Sequence, residues 1–331
     1  MHVGTQQFNT SNADLEYLVR HGVFNKNENF ITFSREYGWD IEELVQKKKQ
    51  CAEFGVDMEM VAIPIAQLNI NGGAVPNYML GNYDEGDQEI ELVCNMVRQA
   101  AEAGIPAVKY FLCEMENQRT ESNPPGRGGS TYSTWDLEKA KDREPRYEEP
   151  VSAETNWERI TYFLERVIPV ATECKVRMAC HPCDPWLPAG YRNVDRVLGG
   201  ADGFKKFIEI CPSPYHGVNL CLGCMAESSD DPAAEVPKII KYFGSRKKIF
   251  LCHFRNIIGR KNKFQEVWPD EGVMNMHRNM RALKEVGYEH MVVPDHAPGH
   301  KDPESGRQAF AYEFGYITAM IQAVIDDNGS A

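Results

Sequence analysis

The chain has 331 residues, of which 42% are hydrophobic and 25% charged, and it carries a formal net charge of -12. These are the proportions of an ordinary soluble globular protein, and the length accommodates one barrel-type domain or two smaller ones. An acidic chain without a Lys/Arg cluster set among aromatics argues against a nucleic-acid binder, and no apolar stretch is long enough to span a bilayer.

No basic start followed by an apolar run lies near Met1, so the protein is expected in the cytoplasm. In that reducing setting the ten cysteines read as buried apolar residues or ligands rather than a disulfide framework.

The first apolar run, His2 to Phe8, is weakly strand-like. Ser11 and Asp14 then start a helix to about His21, with Leu15, Leu18 and Val19 on its apolar face. Phe30 to Phe33 reads as a second strand. Asp40 and Glu43 form a capping box for a helix with Ile41, Leu44, Val45 and Cys51 on one face. It stops at Gly55, before a third strand at Met58 to Ile65. A polar connection covers Ala66 to Asp84. The next helix, with Ile90, Val93, Val97 and Ala101 on one face, ends at Gly104 and leads into a strand at Ala107 to Cys113. From about Glu114 to Pro150 the chain is irregular and rich in Gly, Pro, Ser and charge, a length usually functional or disordered.

A long amphipathic helix with Trp157, Ile160, Leu164, Val167 and Ala171 then feeds a strand at Val176. After it come a helix from about Asp202 to Ile210, a strand to Cys221, a helix from about Glu235 to Phe243 and a strand to His253. A helix at Val273 to Val286, a strand at Met291 to Asp295 and a helix from about Arg307 to Ile325 complete the chain.

About eight strand-then-helix units predict an α/β fold, a (β/α)8 TIM barrel spanning 1–331 as a single domain with an insertion or lid at about 114–150. Gly55, Gly104 and Gly287 each end a helix at a left-handed cap just before a strand, so helix-to-strand turns are short. Length accumulates in the strand-to-helix connections, after Ile65, Cys113, His181, Asn256 and Asp295. In a barrel these long loops share the C-terminal face of the strands, where active sites form. A doubly wound sheet fits the alternation too, but no Gly-x-Gly-x-x-Gly turn follows the first strand.

Four successive strands end in His181, Cys221, His253 and Asp295. Strand alternation puts His181 on the side of Arg177 and Ala179, and His253 on the side of Leu251 and Arg255. Cys221 shares a side with Asn219, and Asp295 with Val293. With those sides inward, two imidazoles, a thiolate and a carboxylate converge at the barrel mouth as a metal-binding set suited to Zn(II), Fe(II) or Mn(II). A rival set pairs Cys180-His-Pro-Cys183 with Cys221-Leu-Gly-Cys224 as a structural zinc site. Cys180 falls on the helix-facing side of its strand, and neither pair is placed at a helix start that would lower a thiol pKa.

The segments His181-Pro-Cys-Asp-Pro185, Leu220-Cys-Leu-Gly223, His253-Phe-Arg-Asn256 and Pro294-Asp-His296, followed by Gly306-Arg307 and Tyr312, resemble those of the metal-dependent mannonate dehydratases. These are barrels of the xylose-isomerase-like superfamily. The resemblance covers about residues 175 to 320 and is weaker at Ala103-Gly-Ile to Tyr110 and at Arg119-Thr120. It implies that His181, Cys221, His253 and Asp295 hold a divalent metal, Mn(II) or Fe(II), and that a sugar acid, D-mannonate in the family, is dehydrated to a 2-keto-3-deoxy product. The chain departs from the family pattern at Pro269, Asn275 and Ala297, where the family carries His, Asp and Gly.

Dehydrating a sugar acid requires loss of the proton beside the carboxylate and departure of a β-hydroxyl. His296 is the expected acid/base and Tyr312 its proton partner. Arg255 and Arg307 are expected to pair with the substrate carboxylate, and Asn256 and Arg119 to bind substrate. Each has an alternative: Arg255 fixing the rim through a carboxylate such as Asp184, Tyr312 packing with Phe310 and Tyr316, His296 only orienting Asp295. The loop carrying Arg119, Arg127 and Tyr132 reads as a lid, a solvated insertion or the contact of a homodimer. Two other functions stay open, a metal-dependent sugar isomerase or epimerase and a non-catalytic sugar- or zinc-binding protein.

Overall fold

The computed structural model describes residues 1–64 and 76–326. Eight strands form one parallel sheet: β1 (His2–Val3), β2 (Asn25–Glu28), β3 (Asp57–Ala62), β4 (Ala107–Phe111), β5 (Arg177–His181), β6 (His216–Cys221), β7 (Ile249–His253) and β8 (Met291–Val293). From β2 to β8 each strand pairs with the next, and β1 pairs with β8 through His2–Met291 and Val3–Val292. A parallel bridge from Thr5 to Lys26 joins the end of β1 to β2. The sheet therefore closes on itself as the expected TIM barrel and leaves no open edge.

Local chemistry sets the helices around it. Ser11 Oγ accepts from the Asp14 N–H at 3.1 Å to start helix Asn12–Arg20, and Asp40 Oδ1 accepts from the Glu43 N–H at 3.1 Å to start Ile41–Glu53. Such caps are worth about 1 kcal/mol each. Gly55, Gly104 and Gly287 have φ of 74°, 68° and 64°, the left-handed turn that lets a strand follow a helix almost at once. Met60, Ala107, Ala179, Phe250, Leu251, Met291 and Val293 form an apolar cluster separate from the main core between barrel and helices. Ala179, Leu251 and Val293 lie two residues before His181, His253 and Asp295, so alternation stacks those polar side chains directly above this apolar layer.

Several elements differ from the sequence reading. The second barrel strand is Asn25–Glu28, while Phe33–Ser34 pairs with Gly38–Trp39 in a small hairpin. The strand escapes an apolar pattern because its buried residues satisfy one another: Lys26 Nζ donates to Glu28 Oε2 at 2.9 Å and to Thr10 Oγ1 at 3.1 Å. Val45 is not on the buried face of its helix; it is 48% exposed. Within 114–150 the chain forms strand Ser133–Asp136 and helix Leu137–Ala140, and that strand joins the hairpin Asn256–Arg260 and Lys263–Val267 in a three-stranded antiparallel sheet. A short helix, Leu222–Glu227, follows β6 directly.

The expectation that the cysteines are unpaired fails at one pair: Cys113 and Cys183 form a disulfide with a Cα separation of 5.7 Å, because the segments following β4 and β5 run side by side. Ile65 and most of the connection from Ala66 lie outside the described residues.

Leu251 is fully buried in the apolar layer beneath the mouth, so Leu251→Ala is expected to lower the unfolding free energy by about 2–5 kcal/mol. Val45→Ala should change it by less than about 0.5 kcal/mol. Urea unfolding of the two variants checks both.

Candidate metal centre and reaction cavity

His181, Cys221 and His253 end β5, β6 and β7, and Asp295 follows β8 by two residues, all of them buried. His181 Nε2 lies 3.2 Å from His253 Nδ1, His253 Nδ1 3.3 Å from Asp295 Oδ1, and Cys221 Sγ 3.6 Å from Asp295 Oδ2. The structure thus brings the four predicted ligands together.

The hydrogen bonds behind them aim their lone pairs. His181 Nδ1 is 2.7 Å from the Pro182 carbonyl, which can only accept, so that nitrogen carries the hydrogen and Nε2 faces His253 with a lone pair. His253 Nε2 lies 2.9 Å from the Asn219 amide nitrogen, while Asn219 Oδ1 is buried without a partner. Turning the amide over lets the oxygen accept the Nε2 hydrogen, and Nδ1, which against burial the charge of Asp295 keeps more readily protonated, gives up that proton where a metal takes its place. Two imidazole lone pairs then point at each other beside a thiolate and a carboxylate, an arrangement a divalent cation between them would satisfy.

The anionic ligands are held in their charged forms. Burial would raise the Asp295 carboxyl, but His296, His253 and Arg255 outweigh it and hold it well below the usual carboxylate range. Burial would likewise raise the Cys221 thiol; a hydrogen bond with Cys224 and the charge of Arg255 bring it well below the ordinary value. Cys221 also caps helix Leu222–Glu227, its Sγ accepting the Cys224 N–H at 3.4 Å. This corrects the expectation that neither Cys-x-x-Cys pair opens a helix. The rival zinc set does not assemble, because Cys183 is bonded to Cys113 and the Cys180 thiol is directed at the backbone carbonyl of His181.

Arg255 is 2% exposed. Its Nη2 lies 3.1 Å from Asp184 Oδ2 and 3.0 Å from Glu227 Oε1, its Nε 3.3 Å from Asp295 Oδ2, and its Nη1 pairs with Glu266. A Cβ on Gly223 would lie 2.1 Å from Arg255 Nε, so only glycine admits the guanidinium there. Arg255 is thus occupied by protein carboxylates, which corrects its assignment to the substrate carboxylate and matches the alternative through Asp184. Asn256 is occupied as well: Nδ2 donates to the Pro269 and Met274 carbonyls at 2.9 and 3.0 Å, and Oδ1 accepts from Met274 and Ile257. It ties down the 269–274 turn. Asn275, where the family carries Asp, caps helix Met276–Glu285. Arg307 pairs with Asp14 and lies over the rings of Phe8 and Tyr17.

Arg119 and His296 do face open space. They line a cavity of about 470 Å³ together with Asn123, Tyr132, Glu266 and Pro298. His296 has a φ of 49° and a side chain 36% exposed, and its Nδ1 lies 2.7 Å from Glu266 Oε1. Burial would lower its pKa, but the charges of Asp295 and Glu266 raise it to about 9, so the ring is protonated near neutrality and its Nδ1–H donates to Glu266. Tyr312 lines a neighbouring cavity of about 880 Å³ with Trp268 and Arg127. At 41% exposure, its ring centroid 5.3 Å from that of Trp268 in an edge-on contact, it is not a core residue. Burial and a hydrogen bond to Asp270 raise its phenol to about 12. Sequence reasoning missed Glu266 and Glu227, two carboxylates of this cluster, neither of which ends a barrel strand.

Barrel and donor set together define an α/β barrel whose mouth gathers two imidazoles, a thiolate and a carboxylate, a set that suits a divalent metal. The model of the D-mannonate dehydratase (UxuA) family matches residues 137–324, more than half of the chain, and the chain belongs to that family. Mannonate dehydratase of Thermotoga neapolitana is 27% identical over 294 residues, covering 78% of each chain. That of Streptococcus pneumoniae is 26% identical over 286 residues, covering 78% of this chain and 74% of the relative. The crystal structure of mannonate dehydratase from Streptococcus suis serotype 2 superimposes with a TM-score of 0.85 at 22% identity over 99% of this chain and 95% of that one. L-ribulose 3-epimerase shares the fold at a TM-score of 0.61 and 14% identity, covering 100% of this chain and 99% of that one. No helix among the described residues is long and apolar enough to cross a membrane.

Burial would raise the Glu266 carboxyl, but Arg119, His296 and Arg255 hold it down at about 2. The stability this contributes is present above the ordinary carboxylate value and is lost as pH falls towards 2. Arg255→Met, which strips the central partner from these carboxylates, is expected to cost about 3–5 kcal/mol at neutral pH. Its loss of stability on acidification should be shallower than that of the wild type, as urea unfolding across the acid range would show.

Proposed function

We propose that the protein is a divalent-metal-dependent hydro-lyase that removes water from a sugar acid, D-mannonate or a related aldonate, to give a 2-keto-3-deoxy acid. The observation that carries this reading is the convergence of His181, Cys221, His253 and Asp295 with their lone pairs aimed inward, in a chain of the D-mannonate dehydratase family. These four hold the metal. Mn(II) is the proposed ion, with Fe(II) and Zn(II) as alternatives that a mixed His, Cys and Asp set also accepts. A bound divalent ion would supply Lewis-acid stabilisation of the negative charge that builds on the substrate carboxylate as the neighbouring proton leaves.

The remaining chemistry falls to the cavity walls. His296, protonated near neutrality with Nδ1 tied to Glu266, presents Nε2 as the acid that protonates the departing β-hydroxyl. Tyr312 keeps its phenol proton well above neutral pH and serves as a proton partner at the edge of the neighbouring cavity. Arg119, held by Asp184 at 2.6 Å and by Glu266, offers its accessible side to the substrate oxygens. The 114–150 segment acts as a lid that excludes water: the Thr131 N–H donates to the Gly299 carbonyl at 2.7 Å, and Arg127 pairs with Asp270 at 2.6 Å.

Incubation with a panel of aldonates, uronates and aldoses, following 2-keto-3-deoxy products, tests the reaction. Activity on an aldonate that a chelator removes and Mn(II) restores is expected; activity on aldoses alone would identify an isomerase instead. His296→Ala should lower kcat by about 10²- to 10⁴-fold, and the wild-type rate should fall as pH rises through about 9, where the acid loses its proton. Cys221→Ser should bind metal more weakly; undiminished affinity would remove Cys221 from the ligand set.

A further inference from the structure

Lys109 lies on β4, two residues beyond Ala107 of the apolar layer, and is 2% exposed. A lysine inside a strand that otherwise reads Ala-Val-Tyr-Phe requires a reason, because an unpaired buried ammonium is costly. Its Nζ donates to Gln6 Oε1 at 2.7 Å, and Gln6 Nε2 donates to Asp295 Oδ1 at 2.9 Å. Ammonium offers only donors and carboxylate only acceptors, so the amide between them has one orientation. The backbone of Gln6 is held as well, its carbonyl accepting from the Asn29 amide, which is in turn bonded to Asn27. Lys109, Gln6 and Asp295 thus form a directed chain across the barrel mouth, from β4 through the residue after the β1–β2 bridge to the segment after β8.

We propose that Lys109 is a positioning residue that acts through Gln6 to fix the orientation of the Asp295 carboxylate at the metal site, Gln6 holding Oδ1 as Arg255 holds Oδ2. The inference rests on the metal-site reading above. Oδ2 lies on the Cys221 side, 3.6 Å from its sulfur, and Oδ1 on the His253 side, 3.3 Å from Nδ1, so the orientation of the carboxylate decides how it meets the other three candidate ligands. Burial lowers the Lys109 amine to about 8 and the Asp295 charge partly offsets this, so the side chain remains a cation at neutral pH. Residues behind metal ligands that set their orientation typically matter by 10- to 100-fold in metal affinity.

A double-mutant cycle on divalent-metal affinity, measured by calorimetry with Mn(II) alone, tests the chain of contacts. Lys109→Met and Gln6→Leu are each expected to weaken binding by about 10-fold, and the double variant by no more than either single one. Tighter binding in Lys109→Met would show that the lysine acts only as a repelling charge, and additive losses would show two independent structural defects; either overturns the proposal. Gln6→Glu keeps the partner of Lys109, and with it the buried pair, while replacing the donor to Asp295 by an acceptor. It should fold with a wild-type melting profile and bind Mn(II) more weakly, and unchanged affinity would also overturn the proposal. Wild type that binds no divalent ion would sink the metal-site reading and this inference together, whereas normal wild-type binding with an additive cycle would sink this inference alone.

Discussion

The Arg255 guanidinium sits among the carboxylates of Asp184, Glu227, Glu266 and Asp295 almost without contact with water. Such a burial is tolerable only if the charges nearly cancel. Arg119 adds a second cation against Asp184 and Glu266, which stay ionised. Glu227 is different: burial drives its pKa well up, Arg255 and Arg119 do not compensate, and both of its oxygens lack hydrogen bonds, so it is held neutral. The cluster then balances the guanidinium groups of Arg255 and Arg119 and the protonated His296 ring against the carboxylates of Asp184, Glu266 and Asp295. Because Arg255 also reaches Cys221 Sγ at 3.5 Å and Asp295, the same balance fixes two of the four candidate metal ligands.

This explains why residues that look chemically active in the sequence divide into two groups. Arg255 and Asn256 lie two and three residues beyond the candidate ligand His253, and their side chains go into the rim, one into carboxylates and one into the 269–274 turn. Arg119, on the insertion after β4, and His296, next to the candidate ligand Asp295, reach the cavity. His296 does so because its left-handed backbone turns it away from the direction of β8.

The barrel was legible where apolar alternation and caps repeat, from β4 to β8 and at Ser11, Asp40 and the three left-handed glycines. The four candidate ligand positions were legible for the same reason, since three end apolar strands and Asp295 follows one by two residues. Asn25–Glu28 was not, because a strand whose buried residues are Lys, Asn and Glu satisfied by one another carries no apolar signal. The hairpin Asn256–Arg260 with Lys263–Val267 and the third strand it receives from the 114–150 segment depend on a pairing across more than a hundred residues, which no local pattern encodes. Gln6 illustrates the same limit at the site: its side chain matters only because β1 closes against β8 and β2.

The bridge between Thr131 and Gly299 joins two segments that border the reaction cavity from opposite sides, one from the insertion after β4 and one from the turn after β8. With the 114–150 segment as the proposed lid, entry of a sugar acid opens that bridge, which consists of few backbone hydrogen bonds with Arg127–Asp270 beside it. Passage through the mouth is thereby tied to a local event rather than to motion of the barrel, whose closed ladder has no slack. Turnover and global stability can on that account vary independently, with changes in the insertion altering how fast molecules come and go while leaving the resistance of the fold to heat or denaturant untouched.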